Sequence, residues 1–195
     1  MNYLAHAYLS FGDPEILAGN MFSDFVKGRK KFDYPTRIQA GIELHRAIDQ
    51  FTDDHPATKN AKKFFKAAYG LYSAPFIDVV YDHFLARDES IFSGDELKFF
   101  ANGTYKQLDE LQAFFPDRFR NLYPYMKSQD WLSNYQYAEG IFRSFGGLVY
   151  RARYMTDPEP AIQIFLEQYE PLRQCYREFF PSLKVFALEI FSKMN

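Results

Sequence analysis

Residues 41–55 read Gly-Ile-Glu-Leu-His-Arg-Ala-Ile-Asp-Gln-Phe-Thr-Asp-Asp-His, and the spacing within them predicts a helix. Ile42, Leu44, Ile48 and Phe51 supply an apolar set compatible with a buried helix face. His45 and Asp49 are four residues apart, one helical turn, so both side chains emerge on one face. Arg46 is next to His45, and Asp53 lies one further turn on. Such a helix carries a base or metal ligand, a carboxylate and a guanidinium towards one patch, which suits phosphate-ester chemistry.

Helical punctuation continues on both sides. Residues 2–11 read as a short apolar helix ending at Gly12-Asp13-Pro14. Asp13 caps a second helix with Pro14 at its first position, running to about Val26 and stopping at Gly28. The basic loop Lys27-Gly-Arg-Lys-Lys31 follows, and Pro35 opens the central helix, which continues to about Phe51.

His55-Pro56 breaks the chain before a helix over 57–69 with Lys59, Lys62, Lys63 and Lys66 on its wet side. A helix over 75–87 holds Ile77, Val80, Tyr81, Phe84 and Leu85 in helical spacing. Helices over 95–114 and 117–136 are separated at Pro116, and another covers 137–154. Thr-Asp-Pro-Glu-Pro at 156–160 precedes a long final helix that Pro181 is expected to end or kink.

Sustained period-2 alternation, hairpin signatures and internal repeats are absent. The expected fold class is all-α, a compact single-domain multi-helix bundle of roughly eight to ten helices.

Composition narrows the function classes. The 195 residues suffice for one domain with a sizeable core. With 22 Phe and 15 Tyr the chain is rich in side chains that pack cores and can also line slots for thin substrates. A net charge of −2 argues against nucleic acid as a partner. The single Cys175 rules out an internal disulfide framework and a Cys-based zinc site, pointing to a reduced, cytoplasmic setting. No apolar run approaches the roughly 20 residues that span a bilayer, so no membrane partner is expected. Asp13 and Glu15 interrupt the first apolar stretch, which therefore does not read as a signal peptide.

All four histidines, His6, His45, His55 and His83, fall in the first 83 residues. Near them stand Asp24, in Gly-Asn-Met-Phe-Ser-Asp-Phe, and Asp78 and Asp82, four apart on one helix with His83 beside Asp82. Imidazole and carboxylate together suit Mn²⁺, Fe²⁺, Zn²⁺ or Mg²⁺, and a thiolate-free site leans to the harder ions. A metal held between helices would bind a phosphoryl oxygen and activate a water.

Each residue also has a plainer reading. A histidine on an apolar helix is commonly a hydrogen-bonded core residue, and an i,i+4 His/Asp pair is commonly a surface interaction. Asp53 and Asp54 sit near a helix C-terminus, unfavourable against its dipole, unless they cap the next helix. The lysine stripe at 59–66 reads as a solvated face. Arg143, Arg151, Arg153 and the tyrosines around 150–176 either hold a phosphate or partner, or pack with their guanidinium heads in water. Three acid-bearing helices with awkwardly placed carboxylates nonetheless favour a cation site.

Four blocks carry a family resemblance: Met-Asn-Tyr-Leu-Ala-His at 1–6, Gly-Asn-Met-Phe-Ser-Asp-Phe-Val-Lys-Gly at 19–28, Gly-Ile-Glu-Leu-His-Arg-Ala-Ile-Asp-Gln-Phe-Thr-Asp at 41–53, and Asp-Val-Val-Tyr-Asp-His-Phe-Leu-Ala-Arg at 78–87. In that order they resemble the bacterial acyl carrier protein phosphodiesterases. Beyond residue 90 the resemblance lies in helical character, length and aromatic content. It implies hydrolysis of the phosphodiester joining 4′-phosphopantetheine to a serine of holo-acyl carrier protein. It also implies a divalent metal, typically Mn²⁺ with Mg²⁺ or Fe²⁺ possible, and an HD-domain-like helical fold. The adjacent His-Asp doublet of HD-type phosphohydrolases is missing; Ser23-Asp24 and Asp82-His83 are the nearest substitutes.

With the resemblance in hand, the expected metal-ligand pool is His6, Asp24, His45, Asp82 and His83. Asp49 and Asp78 are candidates to orient a histidine or accept a proton from the attacking water. Arg46, with Lys27 and Arg29, is expected to hold the phosphate. Carrier proteins are acidic, which makes the lysines at 27–31 and 59–66 a candidate docking surface. Two other readings share parts of this pattern: an HD-like phosphohydrolase acting on a nucleotide or other small phosphoester, and a non-catalytic helical carrier-binding protein whose buried acids pair with arginines. Sequence alone leaves the oligomeric state open.

Overall fold

The computed structural model describes residues 1–152, 155 and 157–194. Among them are the helices α1 (Tyr3–Tyr8), α2 (Pro14–Phe22), α3 (Thr36–Asp54), α4 (Pro56–Tyr69), α5 (Ser73–Ala86) and α6 (Glu96–Glu110). Then follow α7 (Asp117–Ser128), α8 (Trp131–Asn134), α9 (Ala138–Arg151), α10 (Glu159–Glu167) and α11 (Tyr169–Phe191). Short 3-10 turns cover Ser23–Phe25 and Gly28–Asp33. No strand occurs among the described residues, so the fold is all-α.

Capping chemistry sets several boundaries. Asp13 Oδ1 accepts from the amides of Glu15 and Ile16 at 3.1 and 2.9 Å, with Pro14 behind it opening α2. The helix ends at Phe22 rather than Val26, because a 3-10 turn intervenes before the extended Val26. Gly28 supplies a positive φ of 56° in the loop that follows. Asp53 and Asp54 do not cap α4. His55 does, through Nδ1 and the Ala57 amide at 3.2 Å, while Asp53 pairs with Lys62 and Asp54 accepts from Gln50.

The final segment divides at Gln168 into α10 and α11. Helix α11 does not end at Pro181 but runs through it to Phe191. Pro181 faces solvent, where its missing N–H leaves a carbonyl that water can satisfy.

Burial follows the expected periodicity. Helix α5 is apolar nearly all round, with Phe76, Ile77, Val79, Val80, Tyr81, Phe84 and Leu85 buried, and packs against α1, α4, α9 and α11. Helix α3 buries one face through Ile38, Ile42, Leu44 and Ile48, while Phe51 is partly covered. Each fully buried side chain of this size contributes about 1.5–3 kcal/mol.

Helices α2 and α3 cross more closely than any side chain would permit. A Cβ on Gly19 would lie 2.1 Å from the Ile38 carbonyl oxygen, and one on Gly41 would lie 2.3 Å from that of Ile16. The two glycines bring the polar residues just beyond them, Asn20 and His45, into direct contact.

Candidate metal centre

Helix α1 contributes His6, α2 Asn20, the turn after α2 Asp24, and α3 His45 and Asp49. Both histidines are buried, and Asn20, itself inaccessible to solvent, dictates their tautomers. Its Nδ2 donates to the His6 carbonyl at 2.9 Å and to Ser10 Oγ at 3.1 Å, which turns Oδ1 onto His6 Nδ1 at 2.7 Å. The Asn20 backbone carbonyl lies 2.7 Å from His45 Nδ1. These oxygens can only accept, so each ring carries a proton on Nδ1 and presents Nε2 to a common space.

Two carboxylates close that space. Asp49 places Oδ1 3.3 Å from His6 Nε2 and Oδ2 3.1 Å from His45 Nε2, while Asp24 Oδ1 stands 3.2 Å from His45 Nε2. His6 Nε2 is buried and makes no well-aligned hydrogen bond despite its proximity to Asp49. Ligand atoms from His6, His45 and Asp49 lie within 4.8 Å of one another. Imidazole nitrogens and carboxylate oxygens converging in this way could hold a metal ion. The absence of sulfur fits a hard or borderline divalent ion.

The local charges interlock. Burial opposes a charge on His45, but hydrogen bonds and attraction from Asp24 and Asp49 raise its pKa to about 9. Burial, reinforced by the neighbouring His45, holds His6 low. Asp49 resists its own burial and stays strongly acidic through His45 and His6; the hydrogen bond from His45 likewise lowers Asp24. Behind them the Met1 ammonium is buried between Asp49 Oδ1 at 3.4 Å and Asp78 Oδ1 at 3.0 Å. Burial works against that charge as well, yet the two aspartates raise its pKa to about 10.

The structure thus brings together His6, Asp24 and His45, and adds Asp49 to their number. Two other members of the expected pool lie elsewhere. Asp82 is wholly buried and accepts from the amides of Asn2, Leu4 and Ala5 at 3.2, 2.7 and 3.3 Å. It satisfies the open N–H groups at the start of α1, where both of its oxygens are engaged.

His83, one residue on, points about 100° further round α5. Its Nδ1 donates to the Tyr135 carbonyl at 2.7 Å and its Nε2 accepts from the Tyr169 hydroxyl at 3.0 Å, among the rings of Phe84 and Phe165. Asp78 holds the ammonium and touches neither histidine of the cluster.

In front of the cluster a cleft of about 420 Å³ is lined by Asp24, His45, Asp49, Lys27 and Arg46. Arg46 is steadied by the Val26 carbonyl at 3.1 Å and by Glu43 at 3.5 Å. Arg29 is exposed on the neighbouring 3-10 turn and does not line the cleft. Arg143 and Arg151 border a different cavity, and Arg153 lies outside the described residues.

No arginine pairs with Asp24, Asp49, Asp78 or Asp82 among the described residues, so the arginine pairing expected for a non-catalytic carrier-binding protein is not seen there. Sequence reasoning gave Asn20 no role, although a lone amide inside the apolar run 16–22 was a signal. The buried ammonium had none.

The family model described as acyl carrier protein phosphodiesterase matches residues 1–183. Curated relatives with that name include proteins from Yersinia pestis, 32% identical over 94% of this chain and 95% of that protein, and from Enterobacter sp. (strain 638), 32% identical over 96% and 97%. A third, from Pectobacterium atrosepticum, is 32% identical over 92% and 90%. No solved structure matches the chain.

Proposed function

The chain belongs to the acyl carrier protein phosphodiesterase family, and from that premise we propose that this enzyme is a metal-dependent hydrolase of holo-acyl carrier protein. It cleaves the phosphodiester between 4′-phosphopantetheine and the carrier serine, giving the apo-protein and free phosphopantetheine. The observation that carries the reading is the convergence of two Nδ1-protonated histidines and two aspartates on one space at the floor of a cleft lined by Lys27 and Arg46.

His6, His45, Asp49 and Asp24 are the residues that would hold the ion, Mn²⁺ with Mg²⁺ or Fe²⁺ as alternatives. When bound, such an ion supplies Lewis-acid polarisation of the phosphoryl group and a more acidic water. Asn20 keeps both imidazoles in the tautomer that offers Nε2, and Asp49 ties the two rings together. Asp49 is also partly exposed, so its carboxylate can accept a hydrogen bond from the attacking water and orient it. Arg46 and Lys27 face the cleft with charges that hold the phosphate oxygens and stabilise the charge developing on them.

The carrier protein is acidic, and a basic surface borders the cleft. Lys27, Arg29 and Lys30 are exposed with no carboxylate partner among the described residues, beside the exposed Phe32. Among the described residues no helix is long and apolar enough to cross a membrane, which accords with a carrier-protein substrate met in the cytoplasm.

The test is a mass measurement. Metal-free enzyme incubated with holo-carrier protein should leave its mass unchanged, and added Mn²⁺ should restore loss of the phosphopantetheine mass. Asp24→Ala or His45→Ala should abolish that loss while leaving the helical circular dichroism intact. Metal-loaded, folded enzyme that spares the carrier protein but hydrolyses nucleotides would overturn the reading.

A further inference from the structure

A second cavity, of about 320 Å³, is bordered by Asn2 and Tyr3 at the start of α1, the helix that carries His6. Its walls are largely apolar and aromatic, including Tyr3, Val79, Trp131 and Tyr135. Asn2 and Tyr3 connect the two sites. Tyr3 and His6 are three residues apart on one face of α1, and the Met1 ammonium immediately before Asn2 contacts Asp49. Burial and then the Asp24 carboxylate raise the Tyr3 phenol, while Arg151 on the cavity wall pulls it down. One ring thus stands within electrostatic reach of both the metal centre and the cavity.

The opposite wall is a face of α9. Gly140, Ser144, Gly147 and Arg151 follow one another at intervals of four, three and four residues, which places them on one side of the helix. Their reasons for being small differ. A Cβ on Gly140 would lie 2.0 Å from the Asn134 carbonyl oxygen, so packing on α8 demands glycine there. At Gly147 nothing lies within 4 Å of where a Cβ would stand. A glycine inside a helix costs about 1 kcal/mol relative to alanine, and no neighbour explains this one. Its effect is to leave the cavity open.

We propose that this cavity receives the pantetheine arm of the substrate, with the phosphodiester at the metal centre and the arm running past Tyr3 between α8 and α9. The inference rests on the phosphodiesterase reading, since the arm is the group which that reaction releases. Pantetheine is a thin chain of methyl and methylene groups broken by two amides, and the walls match it. Apolar rings alternate with unspent amide capacity. Asn134 Nδ2 is committed to the Gln129 carbonyl, and Gln129 Oε1 to the Trp131 indole. The Asn134 side-chain Oδ1 and the Gln129 side-chain Nε2 have no such partner among the described residues, leaving an acceptor and donors for the arm. The volume falls within the range of about 300–1,000 Å³ typical of small-molecule sites.

The experiment uses pantetheine, which lacks the phosphate, and two adjacent substitutions in α9. Trp131 is the chain's single tryptophan, so its fluorescence reports occupancy of this cavity alone. Gly147→Leu fills the cavity, whereas Gly146→Leu adds the same side chain where nothing lies within 4 Å and the cavity is not lined. Pantetheine should bind the wild type by calorimetry with a saturable change in fluorescence. Gly146→Leu should retain both signals and Gly147→Leu should lose them. With holo-carrier protein, Gly147→Leu should raise KM by roughly tenfold or more, as steric exclusion from a fitted pocket does, and Gly146→Leu should not.

Turnover of holo-carrier protein with no pantetheine binding, or with equal KM in the two variants, would overturn the proposal and leave the phosphodiesterase reading standing. Pantetheine binding that Gly147→Leu abolishes, in an enzyme that spares the carrier protein, would uphold the cavity's ligand and remove the reaction instead.

Discussion

The imidazole of His6 lies against that of His45, ring centroids 3.9 Å apart and planes 15° from parallel. Two buried rings so close cannot both carry charge without repulsion that burial would magnify. The arrangement is stable with one neutral ring and acids at both Nε2 atoms, or with a cation among them. A single residue, Asn20, anchors the stack from behind with its side-chain and backbone oxygens.

Replacing Asn20 with leucine keeps the volume and removes the acceptor that fixes His6. His6 Nδ1 would lose its buried partner, costing about 1–3 kcal/mol in stability. Loss of such an orienting bond typically weakens metal binding by about 10–100-fold. Competition against a chelating dye should record weaker Mn²⁺ binding, with the fold retained by circular dichroism.

The close crossing of α2 and α3 predicts opposite outcomes for two Gly→Ala changes. Gly41→Ala places a methyl against the Ile16 backbone and should cost about 1–3 kcal/mol as the helices separate. Because Asn20 and His45 stand on either side of that crossing, metal affinity should fall with it. Gly103→Ala, inside α6 with nothing within 4 Å, should instead stabilise by about 0.5–1 kcal/mol. Urea unfolding midpoints of the two variants should move in opposite directions.

If an acidic carrier protein docks on the exposed basic face, salt should act on encounter more than on chemistry. KM for holo-carrier protein should rise with ionic strength more than kcat falls. Lys30→Glu combined with Lys59→Glu, both exposed, should raise KM and flatten its salt dependence. Steady-state kinetics between low and physiological salt would check both.

His83 predicts a pH dependence of stability separate from the metal centre. Burial lowers its pKa to about 4 against the pull of the Tyr135 carbonyl, so the folded state favours the neutral ring. That stability is fully present above the ordinary histidine pKa of about 6.5 and is lost as pH falls towards 4. Near pH 5 the loss should reach about 2 kcal/mol. Denaturant unfolding at pH 7.5 and pH 5 should show a smaller drop for His83→Gln than for the wild type. Turnover of His83→Gln should remain, because the ring lies outside the metal cluster.

Periodicity and punctuation carried most of the fold. Apolar residues in helical spacing marked α3 and α5, and Asp13-Pro14 marked the start of α2, because these signals arise from interactions within one turn. The family blocks likewise carried the reaction class, and His6, Asp24 and His45 were readable as one pool. Sequence could not divide that pool. Asp82 and His83 are adjacent in the chain yet face different surroundings, one the open N–H groups of α1 and the other a ring of aromatics. Asn20 and the Met1 ammonium entered the site through contacts spanning 25 and 48 residues. Local sequence determines which side chains share a helix face. Which of two facing acids meets a histidine, and which meets a helix N-terminus, is decided only when the helices pack.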